Sequence, residues 1–303
     1  MTGMDPLIAL LAAALMLFAA KALAWLIQRR LGNAGIVDGI WAWALGALAL
    51  WFAWVGPAPV ELRWLLATLG GLWGARLGWY LWWRNWRTPE DWRYAQLRQE
   101  WAPHAASRLF WFFQFQNVFT LMLAASAFMP VAWRPDMPPT WALGLAVLIA
   151  VVALGGEALA DAQLAAFKRA GHAGVCDRGL WRYSRHPNYF FECLHWVAYV
   201  PLAWGGPWGW WSLLAPVVML GLILKLSGVP LMERELLRRK PGYADYAART
   251  SMLVPWPPRP AAAARTASDA GSAPRSASTM AAKGAGPMPA ISTKRRPASG
   301  PLT

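Results

Sequence analysis

The chain has only two cysteines, Cys176 and Cys193, and their spacing offers neither a zinc pair nor a disulfide framework. Both are expected to be free. Its four histidines form no HxxxH-type pair, which excludes a di-iron lipid desaturase, and no metal site is expected. Neither GxGxxG nor GxxxxGK[ST] occurs, so a Rossmann site and a P-loop are absent. Acidic residues are scarce, 15 against 29 Lys plus Arg, giving a formal charge of +14. That excess could suggest nucleic acid, but the cations lie in loops between apolar runs, where they set membrane topology. No nucleic-acid partner is expected.

What the sequence has in abundance is apolar surface. Hydrophobic residues make up 57% of its 303 residues, mean hydropathy is +0.29, and 23 tryptophans are present. Trp collects at membrane–water interfaces, where its ring is buried and its N–H is wet. A bilayer core about 30 Å thick needs roughly 20 helical residues to cross it. Seven stretches meet or approach that length, near Pro6–Ile27, Ile36–Gly56, Leu62–Trp83, Leu109–Met129, Thr140–Leu159, Pro187–Trp204 and Trp208–Val229. The fold expected is all-α, a seven-helix membrane bundle over residues 1–257, with the sixth and seventh spans joined as a hairpin through Gly205, Gly206 and Pro207. The first run lacks a basic leader and reads as a retained span.

Loop charge predicts the orientation. Arg29, Arg30, Arg84, Arg87, Arg93, Arg98, Arg108, Lys168, Arg169, Arg178, Arg182, Arg185 and the basic residues after the last span fall on one side; Arg63 and Arg134 fall on the other. Lys and Arg favour the cytoplasm, which places the N-terminus outside and the C-terminus inside. Residues 258–303 turn to Ala, Ser, Pro and Gly with scattered cations, a composition expected to remain a disordered cytoplasmic tail.

Ionisable residues within spans are costly and mark function by default. Arg76, Glu157, Asp161, Glu192, His195, Lys225 and Asp38 all fall in the cytoplasmic halves of their spans, as do Gln114, Gln116 and Asn117. This clustering at one side differs from the midplane broken helices of transporters. Helical spacing groups the residues into stripes: Glu157, Asp161 and Lys168; Arg76, Tyr80, Arg84 and Arg87; Asn188, Glu192, His195 and Tyr199. Such stripes bury most cheaply by facing one another around a wet cavity. They could also be structural ion pairs, Arg76 with Glu157 and Lys225 with Glu192, while Lys21 snorkels to the interface.

The block GLWRYSRHPNYFFE, 179–192, carries the strongest local signal. Pro187 suits the first turn of a helix, and Arg182, Arg185 and His186 sit beside that helix start, whose free N–H groups favour anions. A phosphate-bearing or carboxylate-bearing ligand at the cytoplasmic mouth is expected, with anionic lipid head groups as the alternative.

This block resembles the bacterial branch of the steroid 5α-reductase family. So do ADAQLAAFK (160–168), LWGARLGWYLWWRNW (72–86) with EDWRY (90–94), and the late SGVPLMERELLRRKPGYADYAARTSMLVPW. The resemblance covers roughly residues 35–257. It implies a membrane reductase of the bacterial cell membrane that takes NADPH from the cytosol and an apolar alkene, steroid-like or isoprenoid, from the bilayer. By that resemblance Asp161 with Lys168 or Arg169 holds the adenine-nucleotide end. Asn188 and Glu192 lie near the nicotinamide, Arg76 and Glu157 contact the cofactor, and Arg182, Tyr183, Arg185 and His186 flank its phosphates. Tyr243 and Tyr246 belong to a segment closing over it, and Glu192, Tyr80 and Trp73 are the catalytic candidates. Trp73 stands where steroid-reducing relatives place a Tyr, and indole cannot donate a proton as phenol does. The Glu those enzymes carry in the second span is also missing unless Asp38 replaces it. Both departures count against steroid enones and leave other lipid double bonds open. RHPNY also resembles the RHPxY of isoprenylcysteine carboxyl methyltransferases, which grip S-adenosylmethionine ahead of a later Glu pair. Here Glu233 and Glu235 are split by Arg234. A membrane methyltransferase and a non-enzymatic lipid-binding protein are the alternative functions.

Overall fold

A computed structural model describes residues 3–260 apart from 87, 173 and 228. The tail expected over 258–303 lies almost wholly outside the described residues, as does Arg87. Among the described residues the protein is all-helical, without strands. In chain order the α-helices are α1 (Pro6–Leu31), α2 (Ile36–Val55), α3 (Val60–Asn85), α4 (Trp92–Glu100), α5 (Ala105–Ala127), α6 (Met129–Ala132) and α7 (Thr140–Arg169). They continue as α8 (Pro187–Val197), α9 (Tyr199–Ala203), α10 (Leu214–Gly221), α11 (Val229–Arg239) and α12 (Tyr243–Arg249). A 3-10 turn spans Gly179–Arg182, another spans Gly209–Leu213, and Leu222–Ser227 form a π-helical turn.

Five helical stretches are long and apolar enough to cross a membrane: Pro6–Leu31, Ile36–Val55, Ala105–Ala132, Thr140–Arg169 and Gly209–Arg239. The other two expected spans do not reach that standard. Helix α3 has 26 residues, but charge at Glu61, Arg63, Arg76 and Arg84 lowers its apolar character. The sixth stretch is broken between α8 and α9. Pro201 lacks an N–H and its ring crowds the carbonyl four residues earlier, at Val197, where α8 ends. The same chemistry accounts for the widened turn at Leu222–Ser227, which contains Leu226, the residue four before Pro230.

Helix ends follow their sequence. Asp5 accepts from the amides of Leu7 and Ile8 at 2.9 and 3.2 Å, Pro6 opens α1, and Gly32 closes it at φ 68°. The two arginines assigned to the outer loops are both helix caps. Arg63 donates to the terminal carbonyls of α2 at Ala53 and Trp54, 2.5 and 2.9 Å. Arg134, 2% exposed, donates to Leu202 and Trp204 at the end of α9, 2.9 and 2.8 Å. A guanidinium at a helix C-terminus satisfies orphan carbonyls and the negative end of the helix dipole together.

Small residues bring the helices close. On α3, Gly70, Gly74 and Gly78 face Gly39, Ala42, Gly46 and Ala49 of α2, and a Cβ added at Gly46 would sit 3.1 Å from the Cα of Gly74. On α7, Ala142, Ala146, Ala150, Ala153 and Ala160 are fully buried. Small-residue seams of this kind let apolar helices gain packing energy that lipid cannot supply. Gly156 leaves the space that the ring of Phe191 fills, which seats α8 against α7 directly beneath the polar residues of both.

Candidate functional site

The polar stripes of α3, α7 and α8 meet inside the bundle. Arg76 of α3 forms an ion pair with Glu157 of α7 and reaches Asp161 one turn further on, Nη1 to Oδ2 at 3.5 Å. Asn188 of α8 donates to the other oxygen of Asp161 at 3.3 Å. Glu157 and Asp161 are 4% and 5% exposed, whereas the Arg76 side chain is 24% exposed and gives the centre its access. The pairing of Arg76 with Glu157 that stood as an alternative in the sequence is therefore present, as part of a larger constellation.

One turn along α8, Glu192 is gripped from both sides by indoles. Trp73 Nε1–H donates to Oε2 at 3.0 Å and Trp196 Nε1–H donates to Oε1 at 3.3 Å. The Trp73 ring lies flat on His195, centroids 5.1 Å apart at 8°, and edge-on to Trp196 and Trp41. His195 Nε2 is 2.9 Å from the Tyr199 hydroxyl. Tyr80 stands on the same face of α3 as Arg76, with the Arg84 guanidinium 6.0 Å above its ring. Trp196 carried no polar signal in the sequence. Its spacing of four from Glu192 is the pattern that could have revealed it.

The surroundings of the 181–186 turn differ from the expectation. Arg185 and His186 are not free for an anion: both close on Glu233 of α11, Arg185 Nη1 to Oε2 at 2.5 Å and His186 Nε2 to Oε1 at 2.8 Å. Tyr243 adds a third donor to Glu233 at 2.8 Å; burial and then this carboxylate push its phenol pKa up. Glu233 was not singled out from the sequence as a site residue, because two of its three donors, Arg185 and His186, lie 48 and 47 residues before it in the chain. Tyr246 donates to the carbonyl of Trp181 at 2.5 Å, and Ser184 Oγ donates to Leu253 O at 2.7 Å. Backbone pairs Arg185 N to Ser251 O and Trp256 N to Tyr183 O, 2.8 and 2.9 Å, complete the join. Tyr243 and Tyr246 thus close onto the 181–186 turn itself. Arg182, Tyr183, Lys168 and Arg169 remain exposed, and neither lysine nor arginine of this set has an ion pair among the described residues.

Several polar residues expected around the same cavity lie elsewhere. Lys21 does not snorkel; it is 0% exposed and donates to Gln116 Oε1 at 2.8 Å. Gln114 and Asn117 bond to each other at 2.9 Å on the same α1–α5 seam. Asp38 accepts from the Tyr94 hydroxyl at 2.8 Å and meets Arg93 at 3.5 Å, pinning α4 to α2. Lys225 is exposed and pairs with no carboxylate among the described residues, and Glu192 is bonded by Trp73 and Trp196 instead. Both cysteines are free, and among the described residues no group of His, Cys, Asp and Glu could hold a metal.

Residues 24–250 match the model of a family described as a protein of unknown function, DUF1295. The chain belongs to that family. DUF1295 is related to steroid 5α-reductase-like membrane proteins. No curated protein and no solved structure matches the chain. The matched region of this DUF1295 protein begins within α1, ends just after α12 and contains every residue of the polar centre as well as Glu233, Arg185, His186 and Tyr243.

Proposed function

We propose that this membrane protein is an oxidoreductase that delivers a hydride from NADPH to a carbon–carbon double bond of an apolar, lipid-like substrate drawn from the bilayer. The observation that carries the reading is the meeting of three separate polar stripes, with Asp161 bonded at once to Arg76 and Asn188 inside the bundle. The relation of DUF1295 to reductase-like membrane proteins supports it. Helix α3, about 39 Å long at 1.5 Å per residue, and the broken α8–α9 pair complete seven passes. The loop charge bias puts the N-terminus outside and the polar centre toward the cytosol.

NADPH supplies the hydride when bound. Lys168, Arg169 and Arg182 are free to meet its phosphates, while Arg185 and His186 would first have to exchange Glu233 for phosphate. Arg76, Glu157, Asp161 and Asn188 offer donors and acceptors for the nicotinamide amide. Glu192, held by two indoles, fixes the aromatic wall beside them and orients Trp73.

A second reading, a methyltransferase using S-adenosylmethionine, is favoured by one observation: Glu233 joins the RHPNY turn to the late acidic stretch. Titration of the purified protein in detergent with NADPH, NADH and S-adenosylmethionine separates the two. NADPH binding tighter than NADH supports the reductase. Binding of S-adenosylmethionine alone replaces it with the methyltransferase, and binding of none leaves a lipid-binding protein without catalysis.

A further inference from the structure

We propose that the segment 251–256, together with the turn it clasps, rests on the membrane surface as an anchor for anionic lipid headgroups. The proposal does not depend on the reaction and holds for either enzymatic reading.

Burial alternates along this helix-free segment. Leu253 is 8% exposed and its carbonyl is taken by Ser184, whereas Met252, Val254 and Trp256 are 37%, 57% and 69% exposed. The Trp256 amide bonds to Tyr183 O at 2.9 Å, which sets Trp256 beside a second open aromatic, Tyr183, 41% exposed. Arg182 and Arg259, next along the chain from this ridge, are exposed and have no ion pair among the described residues. Apolar and aromatic side chains flanked by free guanidinium groups match a bilayer interface, where rings enter the acyl boundary and cations meet phosphate.

Depth is the second, independent observation. The 179–183 turn is fastened to α7: Trp181 Nε1–H donates to Ala160 O and Leu180 N–H to Gln163 Oε1, both at 2.9 Å. Helix α7 is one of the five long enough to cross a membrane. Roughly 20 of its residues, 140–159, suffice for an apolar core about 30 Å thick. Ala160 and Gln163 therefore stand about 2–6 Å beyond that core at 1.5 Å per residue, inside a headgroup layer about 5–8 Å deep. Tyr183 and Trp256 open at that level into headgroups.

Charge selects the lipid. Neither 178–186 nor 246–260 contains an Asp or Glu. Of the neighbouring carboxylates, Asp177 is held by Arg249 and Glu233 by Arg185 and His186, which leaves Asp245 alone without an ion pair among the described residues. The surface is net basic, and anionic headgroups complement it. The rest of the chain does not: residues 261–303 carry six Lys or Arg against one Asp and would meet the arginines with like charge.

The experiment uses the full chain in nanodiscs of phosphatidylcholine alone or mixed in equal parts with phosphatidylglycerol. With Cys176 and Cys193 replaced by serine, Met252→Cys, Val254→Cys and Trp256→Cys each receive a nitrobenzoxadiazole probe, and thermal unfolding checks that each is folded. His172→Cys, three residues past the end of α7, is the aqueous control. Lipid spin-labelled near its headgroup is expected to quench the probes at 252, 254 and 256 several-fold more than the control. In the wild type, phosphatidylglycerol should slow hydrogen exchange at the Trp256 amide by about fivefold for each arginine engaged, and Arg259→Gln should give back about fivefold. Probes quenched by aqueous acrylamide as strongly as the control would place the ridge in water. Probes shielded from acrylamide and from spin-labelled lipid alike would show protein covering it. Exchange indifferent to phosphatidylglycerol would remove the charge selection. Each of these three results overturns the proposal.

Discussion

Replacing Glu233 with alanine should loosen the C-terminal segment on the 181–186 turn without unfolding the bundle. Glu233 accepts from Arg185, His186 and Tyr243 at 2.5, 2.8 and 2.8 Å, and its side chain is 15% exposed. A hydrogen bond to a charged group contributes about 1.5–3 kcal/mol, and stranding one partner of a fully buried ion pair costs about 3–5 kcal/mol. Partial exposure places the loss near the lower bound, about 3 kcal/mol of local stability. The remaining tethers through Ser184, Tyr246 and the 251–256 backbone are neutral and lose no atom in the substitution, so the segment opens transiently without being released. The effect should therefore be a local opening. About 3 kcal/mol corresponds to roughly a hundredfold faster hydrogen exchange at the amides of Arg185, Thr250 and Trp256, which bond to Ser251, Tyr246 and Tyr183. Amides of α2 and α3 should be unchanged. Glu233→Gln keeps an acceptor for Tyr243 but loses the charge, so its exchange should fall between wild type and Glu233→Ala. Unchanged exchange at those three amides in Glu233→Ala would refute the reasoning, since the carboxylate would then hold nothing in place.

Three further outcomes follow from the packing. Gly74→Ala should lower thermal stability by about 1–3 kcal/mol, because its new Cβ would lie 2.6 Å from Gly46 Cα and 2.8 Å from Ala42 O, backbone atoms that cannot rotate away; an unchanged melting temperature would show that α2 and α3 have room to separate. Lys21→Met alone should destabilise by about 1–3 kcal/mol or less, since Gln116 loses its donor. The double variant Lys21→Met with Gln116→Leu should recover the loss or exceed wild type, and a double variant worse than the single would show that the pair is net stabilising. At Asp91 burial works to raise the carboxyl pKa, but the hydrogen bonds and charge of Arg93 outweigh it and hold the group below its ordinary value. Its contribution is thus full above the unfolded value near pH 4 and disappears as pH falls through the lower folded value. Asp91→Asn should flatten that acid limb of the stability profile, and an unaltered limb would count against the pairing.

The long helices and the convergence of Arg76, Glu157, Asp161, Asn188 and Glu192 were legible because both follow from helical periodicity, which acts along one segment at a time. What periodicity cannot supply is the neighbour. Gln114, Gln116 and Asn117 share the depth of the polar centre, yet α5 packs its polar residues against Lys21 of α1, and a separate seam results. Position along each helix was readable; azimuth was not. Lys21 was misread for the same reason, since snorkelling presumes a lipid-facing side chain and α1 turns this one inward. The count of spans was limited by Pro201, whose effect on α8 is local and visible in the sequence but is outweighed in a hydropathy reading by the apolar residues around it. Arg63 and Arg134 entered the sequence reading only as loop charge, and their capping of α2 and α9 depends on carbonyls presented by another element.

The same distinction bears on Trp73. Its position three residues before Arg76 marks it as a site residue by resemblance, and the structure does place it in contact with Glu192 and His195. Its indole N–H is spent on Glu192, its faces are covered by His195 and other aromatics, and it is 0% exposed. A group so enclosed has no donor left to offer a substrate carbonyl. Trp73 therefore acts by fixing the Glu192 carboxylate, and a polar substrate atom would have to be met from the accessible side, where Arg76 and Tyr80 are partly exposed. If the protein is the reductase proposed above, indole in place of phenol at this position makes residue 73 part of the wall and not a substrate donor, which is the physical reason to look for a substrate without a ketone to grip.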